Sequence, residues 1–142
     1  PLLYRGDPNQ MRQISWNLAR NAIQAMPRGG ELRVTLGAKA NRFVTIAFSD
    51  TGDGMSREQK DRLFEPFNSS TGGTGLGMAI VYQLVRDHDG NVLVDSVAGR
   101  GTRIAIRLPA SGLVAHQAVS SSVSSNDAGR VDSVSPPVAA SV

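Results

Sequence analysis

The sequence predicts a two-layer α/β sandwich, with a mixed but mostly antiparallel sheet packed on about three helices. Residues 32–36, 43–48, 92–94 and 104–108 alternate apolar and polar side chains, as half-buried strands do. Met11, Ile14, Leu18, Ala22 and Ala25 recur at spacings of three and four, and Leu76, Ile80 and Leu84 share one helical face. Hairpin-like turns outnumber long crossovers, which favours antiparallel neighbours.

Taken in order, residues 2–5 suit a short strand. Asp7 is a candidate N-cap and Pro8 a good first helical residue, opening a helix that runs to about Met26. Pro27-Arg28-Gly29-Gly30 stops it and turns the chain into the first two alternating strands. A polar, glycine-punctuated stretch from Asp50 to Gly75 follows, with one short helix around 56–63. Residues 76–85 form the next helix, and the last two strands close the domain. No internal repeat is present. After Pro109 the composition shifts to Ser, Val and Ala, and the charges are only Asp127, Arg130 and Asp132. This divides the chain into a domain at 1–109 and a flexible tail at 110–142. The Val-Ser alternation at 119–123 leaves an edge strand as the alternative.

Composition bounds the function. A chain of 142 residues holds one ordinary domain, and 40% hydrophobic against 19% charged residues suits a folded one. Aromatics reach 5%, so the core must be aliphatic. The absence of cysteine excludes disulfides, thiolate metal sites and a cysteine nucleophile, and it suits a reducing cytoplasm. Net charge is +3, but the Arg residues are scattered without interleaved aromatics, which argues against nucleic acid as a partner. No apolar run approaches the roughly 20 residues that cross a bilayer. The opening Pro1-Leu2-Leu3-Tyr4-Arg5 is no signal peptide, and without an initiator Met it reads as part of a longer protein.

Three local patterns carry chemistry. Asn17 and Asn21 lie four residues apart, just off the edge of the first helix's apolar stripe, with Gln24 and Gln13 further round. Amide oxygens so spaced can coordinate Mg²⁺ alongside phosphate oxygens, although a solvated face has the same composition. Asp50-Thr51-Gly52-Asp53-Gly54 ends the second strand. A carboxylate there can accept from an exocyclic amine while glycines admit a flat base, and a plain turn is the alternative. Gly72-Gly73-Thr74-Gly75-Leu76-Gly77 leads directly into a helix, where free N–H groups and the helix dipole favour an anion. It lacks the Walker Lys-Ser/Thr, and no parallel βαβ unit follows; a flexible loop is the bland reading.

In combination, order and spacing resemble the ATP-binding catalytic domain of bacterial sensor histidine kinases, within the gyrase–Hsp90–histidine kinase–MutL superfamily. The resemblance spans about residues 5–109. Asn17-Leu18-Ala19-Arg20-Asn21-Ala22 is similar to the N box and Asp50-Thr51-Gly52-Asp53-Gly54-Met55 to the first glycine box. Phe64-Glu65-Pro66-Phe67 resembles the F box and Gly73-Thr74-Gly75-Leu76-Gly77-Met78 the second glycine box. Gly99-Arg100-Gly101-Thr102 resembles the closing turn, and the N and F boxes are most similar to nitrogen-regulation-type kinases.

The resemblance implies a Bergerat-type fold and a protein-histidine kinase: a transferase that binds MgATP and serves a two-component phosphorelay. Asp50 would accept the adenine amino group, with Gly52 and Gly54 shaping the base pocket. Asn21 would bind Mg²⁺ and Asn17 would support metal or phosphates. Gln24, Met55, Phe67 and Thr102 complete the implied nucleotide set, with Gly73, Thr74, Gly75, Leu76 and Gly77 at the phosphates. Residues 55–75 would form a mobile lid, coupled to the body by Phe64 and Phe67. The implied partners are ATP, a separate phosphoacceptor dimerisation hairpin and a response regulator, in the cytoplasm or on the cytoplasmic side of a membrane-anchored sensor. The isolated fragment is expected to be a monomer. A nucleotide-binding regulatory scaffold is the alternative.

Departures from the pattern sharpen these expectations. Hydrolytic members and anti-sigma-factor kinases place Glu where Asn17 stands, and Asn cannot act as a general base, so ATP hydrolysis should be slow. Related kinases carry Lys or Arg soon after the F box, whereas this chain has Asn68-Ser69-Ser70-Thr71 and a lid about a residue short. Arg57, Lys60 and Arg62 are the available substitutes. His88 reads as structural and His116 lies in the tail, so self-phosphorylation is not expected.

Overall fold

Asp7 starts the first helix, α1 (Pro8–Gln24), by accepting at 2.8 Å from the Asn9 backbone N–H, while Pro8 fills a position that needs no donor. Ile14, Leu18 and Ala22 then line the buried face at one-turn spacing, at most 3% exposed. The computed structural model describes residues 3–39, 42–69, 73–110, 113–114 and 140–141. It continues through β2 (Glu31–Lys39), β3 (Phe43–Asp50), α2 (Arg57–Asp61), α3 (Gly77–Asp87), β4 (Asn91–Val97) and β5 (Gly101–Pro109). Two-residue strands flank this body: β1 (Leu3–Tyr4), β6 (Leu113–Val114) and β7 (Ala140–Ser141).

The main sheet has the order β4-β5-β3-β2-β7, and a separate pair joins β1 to β6. Every described pairing is antiparallel, so the mixed component expected of the sheet has no counterpart among the described residues. β5 lies between β3 and β4 although it follows both in the chain. The register sets Val34, Phe48, Ile104 and Val94 side by side, and Leu36, Ile46, Ile106 and Val92 in the next row of like phase. Period two sends both rows to the helix side. There Phe48, Ile104, Ile106 and Leu108 pack with Ile14 and Leu18 of α1 and Val81 and Val85 of α3. Burying one such aliphatic side chain stabilises the fold by about 1.5–3 kcal/mol. The helical cover ends at β2, where Leu36 is 65% exposed.

One expectation needs adjustment. On α3 the deeply buried residues are Met78, Val81 and Val85, one step round from the expected Leu76, Ile80 and Leu84. Of the segment 110–142, Leu113–Val114 pairs with β1 and Ala140–Ser141 with β2; the 119–123 alternation and His116 lie outside the described residues. No described helix is long and apolar enough to cross a membrane.

Candidate functional site

A cleft of about 540 Å³ opens between α1, the β3–α2 loop, the α2–α3 segment and the start of α3. α1 contributes Asn17, Arg20, Asn21 and Gln24, which helical spacing gathers within an arc of about 100°. Gln13, one turn before Asn17, is exposed and outside the lining. Gly54 and Met55 enter from the end of β3, Gly73, Thr74, Gly75, Leu76 and Gly77 from the loop into α3, and Thr102 from β5. Leu76 and Ile80, expected on a core stripe, form part of this wall.

Asp50, Gly52 and Phe67 stand outside the lining, each for a different reason. Asp50 ends β3 and is 9% exposed; its Oδ1 accepts from the backbone N–H of Gly52 at 2.9 Å and of Thr102 at 3.2 Å. Burial pushes this carboxyl above its ordinary value, against the two N–H donors that pull it down. The carboxylate thus sits behind Thr102, at the cleft's floor. Gly52 lines a shallower recess of about 200 Å³ beside it, with Ala25, Thr51 and Asp53. Phe67 is 79% exposed, and its backbone, at φ 63°, donates to Gly75 O at 3.0 Å.

The β3–α2 loop is pinned by a group that sequence reasoning missed. Ser96 Oγ is buried in β4, accepts from Met55 N–H at 2.8 Å and donates to Gly101 O at 3.1 Å. A hydroxyl has one proton to give, so the Thr102 hydroxyl at 2.8 Å is the donor in their shared bond. Further along, Ser56 and Gln59 form a capping box on α2, and Asn68 Nδ2 donates to Arg62 O at 2.7 Å. Phe64 stacks obliquely on Tyr82 with ring centroids 5.1 Å apart and reaches the core. Ser70, Thr71 and Gly72 lie outside the described residues. Gly54 takes φ 67°, and a side chain there would strike the Val97 carbonyl.

The cleft offers donors to an anion. α3 begins without a side-chain cap, so its first-turn N–H groups stay available beside the lining residues Leu76, Gly77 and Met78. Asn17 Nδ2 is buried without a partner among the described residues, and the same side chain packs against Gly77. Arg20 lines the cleft as well, a residue of the N-box-like run to which the sequence reading gave no role. None of Arg57, Lys60 and Arg62 does; Arg62 instead meets Glu65 at 3.0 Å. Among the described residues no three His, Asp or Glu side chains form a metal cluster. His88 caps the end of α3, its Nδ1 2.7 Å from Leu84 O; since a carbonyl only accepts, Nδ1 carries the proton.

Comparison with known proteins follows this geometry. Residues 6–112 match the family described as histidine kinase-, DNA gyrase B- and HSP90-like ATPase. The chain is 40% identical over 104 residues to sporulation kinase E of Bacillus subtilis, covering 72% of this chain and 14% of that protein. It is 37% identical over 106 residues to the sensor histidine kinase ZraS of Escherichia coli K12, covering 74% of this chain and 23% of the relative. Among solved structures it resembles the mycobacterial sensor histidine kinase MprB, with a TM-score of 0.67 and 33% identity over 73% of this chain and 72% of that one. Full-length ShkA in complex with AMPPNP is similar at a TM-score of 0.64 and 35% identity, over 70% of this chain and 21% of that one. The chain thus spans about a seventh to a quarter of the curated relatives named here. From the α/β sandwich, the glycine loop before α3 and the match across residues 6–112, the chain belongs to the histidine kinase-, DNA gyrase B- and HSP90-like ATPase family, and its relatives are sensor histidine kinases.

Proposed function

We propose that the cleft binds MgATP and that the domain donates the γ-phosphoryl group to a histidine on a separate dimerisation hairpin, in two-component signalling. The observation that carries this reading is the convergence of the α1 amides, the Asp50–Thr102 floor and the uncapped start of α3 on one cleft. Asp50 accepts from the adenine amino group through the face its own backbone donors leave free, with Gly52 and Gly54 beside the ring. Asn17, Thr74 and the backbone of Gly73, Gly75 and Gly77 receive the phosphates, while Gln24, Met55 and Leu76 bound the nucleotide. Phe67 acts on the site through the loop that it ties down.

Asn21, helped by Asn17, would hold Mg²⁺ through amide oxygens. The cation needs phosphate oxygens to complete its shell, which suits a cleft without a carboxylate cluster among the described residues. When bound it neutralises charge on the transferring phosphoryl group. The chain's own residues bind, orient and exclude water, and Asn17 cannot activate water as a base. Catalysis here is positioning and charge compensation.

Residues 1–109 are the catalytic domain in this reading and 110–142 a tail. The fragment works in the cytoplasm with its parent's hairpin and a response regulator. One finding favours the scaffold alternative: Arg57, Lys60 and Arg62 all lie off the cleft lining.

Calorimetric titration of MgATP into the wild type and Asp50→Asn tests the pocket. The wild type should bind, and Asp50→Asn, which keeps one acceptor oxygen for Gly52 and Thr102 but loses the charge, should bind at least tenfold more weakly. Equal affinity would remove Asp50 from the base pocket, and no binding by the wild type would remove the nucleotide.

A further inference from the structure

We infer that Arg20 is the cation that grips the terminal phosphate of the bound nucleotide, and that it does so from α1 rather than from the lid. The inference rests on the reading that the cleft takes ATP. A triphosphate is strongly anionic, and even with Mg²⁺ it keeps net negative charge that a bare cleft must balance. Two charged side chains line the cleft, Arg20 and Asp53. Asp53 Oδ1 already faces Arg28 at 3.4 Å, whereas Arg20 forms no ion pair or hydrogen bond among the described residues. It is thus the unspent positive charge of the cleft wall.

The surroundings of Arg20 point the same way. It follows Asn17 by three positions and precedes Gln24 by four, so the three share the cleft side of α1. Asn17 Nδ2 is a buried donor with no partner among the described residues, and its side chain packs against Gly77, where the uncapped N–H groups of α3 begin. An unpartnered buried donor costs stability until an acceptor arrives. Three independent donor sets therefore converge on one region, and an oxyanion satisfies all of them at once. The planar guanidinium presents a fork of N–H groups that matches two oxygens of one phosphate, a geometry that an ammonium does not reproduce. Placing the charge on α1 also has a mechanical consequence: Ile14, Leu18 and Ala22 anchor that helix in the core, so the phosphate contact does not wait for lid closure.

The test is calorimetric titration of MgATP and MgADP into the wild type, Arg20→Gln, Arg20→Lys and the control Arg86→Gln, an exposed arginine of the last turn of α3 outside the lining. Arg20 is exposed, so unliganded Arg20→Gln should keep the wild-type circular dichroism and melting temperature. Arg20→Gln should lose about tenfold or more in ATP affinity and less for ADP, narrowing the ATP-to-ADP ratio. Arg20→Lys should recover part of the loss, and Arg86→Gln should match the wild type. ATP and ADP weakened equally, or neither weakened, would overturn the inference while leaving the nucleotide reading intact. Failure of the wild type to bind either nucleotide would overturn both.

Discussion

Asp50 is held by neighbours that act in opposite senses. Burial favours the neutral acid, while the N–H groups of Gly52 and Thr102 favour the carboxylate, and burial is the larger influence. With its pKa raised on folding, Asp50 contributes stability that is fully present below the ordinary carboxylate value and is lost as pH rises through the folded value. The base contact proposed for Asp50 would have the opposite slope, because it needs an acceptor carboxylate. As pH rises from the ordinary carboxylate value through the raised folded one, wild-type ATP affinity should therefore rise while Asp50's stability contribution falls. Parallel melting and titration of Asp50→Asn should show both slopes reduced; unchanged slopes would locate the titration elsewhere. Ser96 illustrates the complementary case, a buried hydroxyl whose donor and acceptor capacities are all in use, so it fixes geometry without titrating.

At the scale of elements, the segment from α2 to α3 is tied mainly to itself and at few points to the body. Its closing knot is Phe67 N–H to Gly75 O, with Gly75 at φ 69° and the Phe67 carbonyl carbon 2.6 Å from where a Cβ would stand. Gly75→Ala should untie this knot, lowering ATP affinity about tenfold while moving the melting temperature by only a few degrees, since no core residue is touched. Titration beside a thermal melt checks it, and a large fall in melting temperature would show that the segment is integral to the core. The contrast between α1 and α3 explains what was legible in advance. The Asp7 cap and the Ile14, Leu18, Ala22 stripe of α1 are local signals, so its start, face and cleft-side amides could be read. α3 is apolar on almost every side from Met78 to Leu84, and periodicity could not decide which side met the core and which the cleft. Arg20 and Ser96 were illegible for another reason: their roles depend on residues distant in sequence, as in the bond between Ser96 and Met55, 41 positions apart.

For the whole molecule, the family assignment accounts for the domain, and the transfer proposed above would need a second one. Mixing the protein with a separately prepared acceptor hairpin and γ-labelled ATP should label the hairpin histidine and leave this chain unlabelled. Label on His88 would contradict the structural role of that residue, and nucleotide binding without any transfer would favour the scaffold. The order β4-β5-β3-β2 carries a consequence for how such a domain comes into being. One of the two inner strands of these four, β5, is the last of them to leave the ribosome. Until residues 101–109 emerge, β4 and the helix before it have no sheet to join, and the hairpin of β2 and β3 waits with its β3 edge bare. Thr102 arrives with that strand, so the cleft gains its floor at the moment the sheet is sealed. A growing or prematurely ended chain already carries the amides of α1, Asp50 and the glycine loop, yet Asp50 lacks the Thr102 N–H and the cleft its floor. Competence to take a nucleotide is thereby reserved for the finished domain.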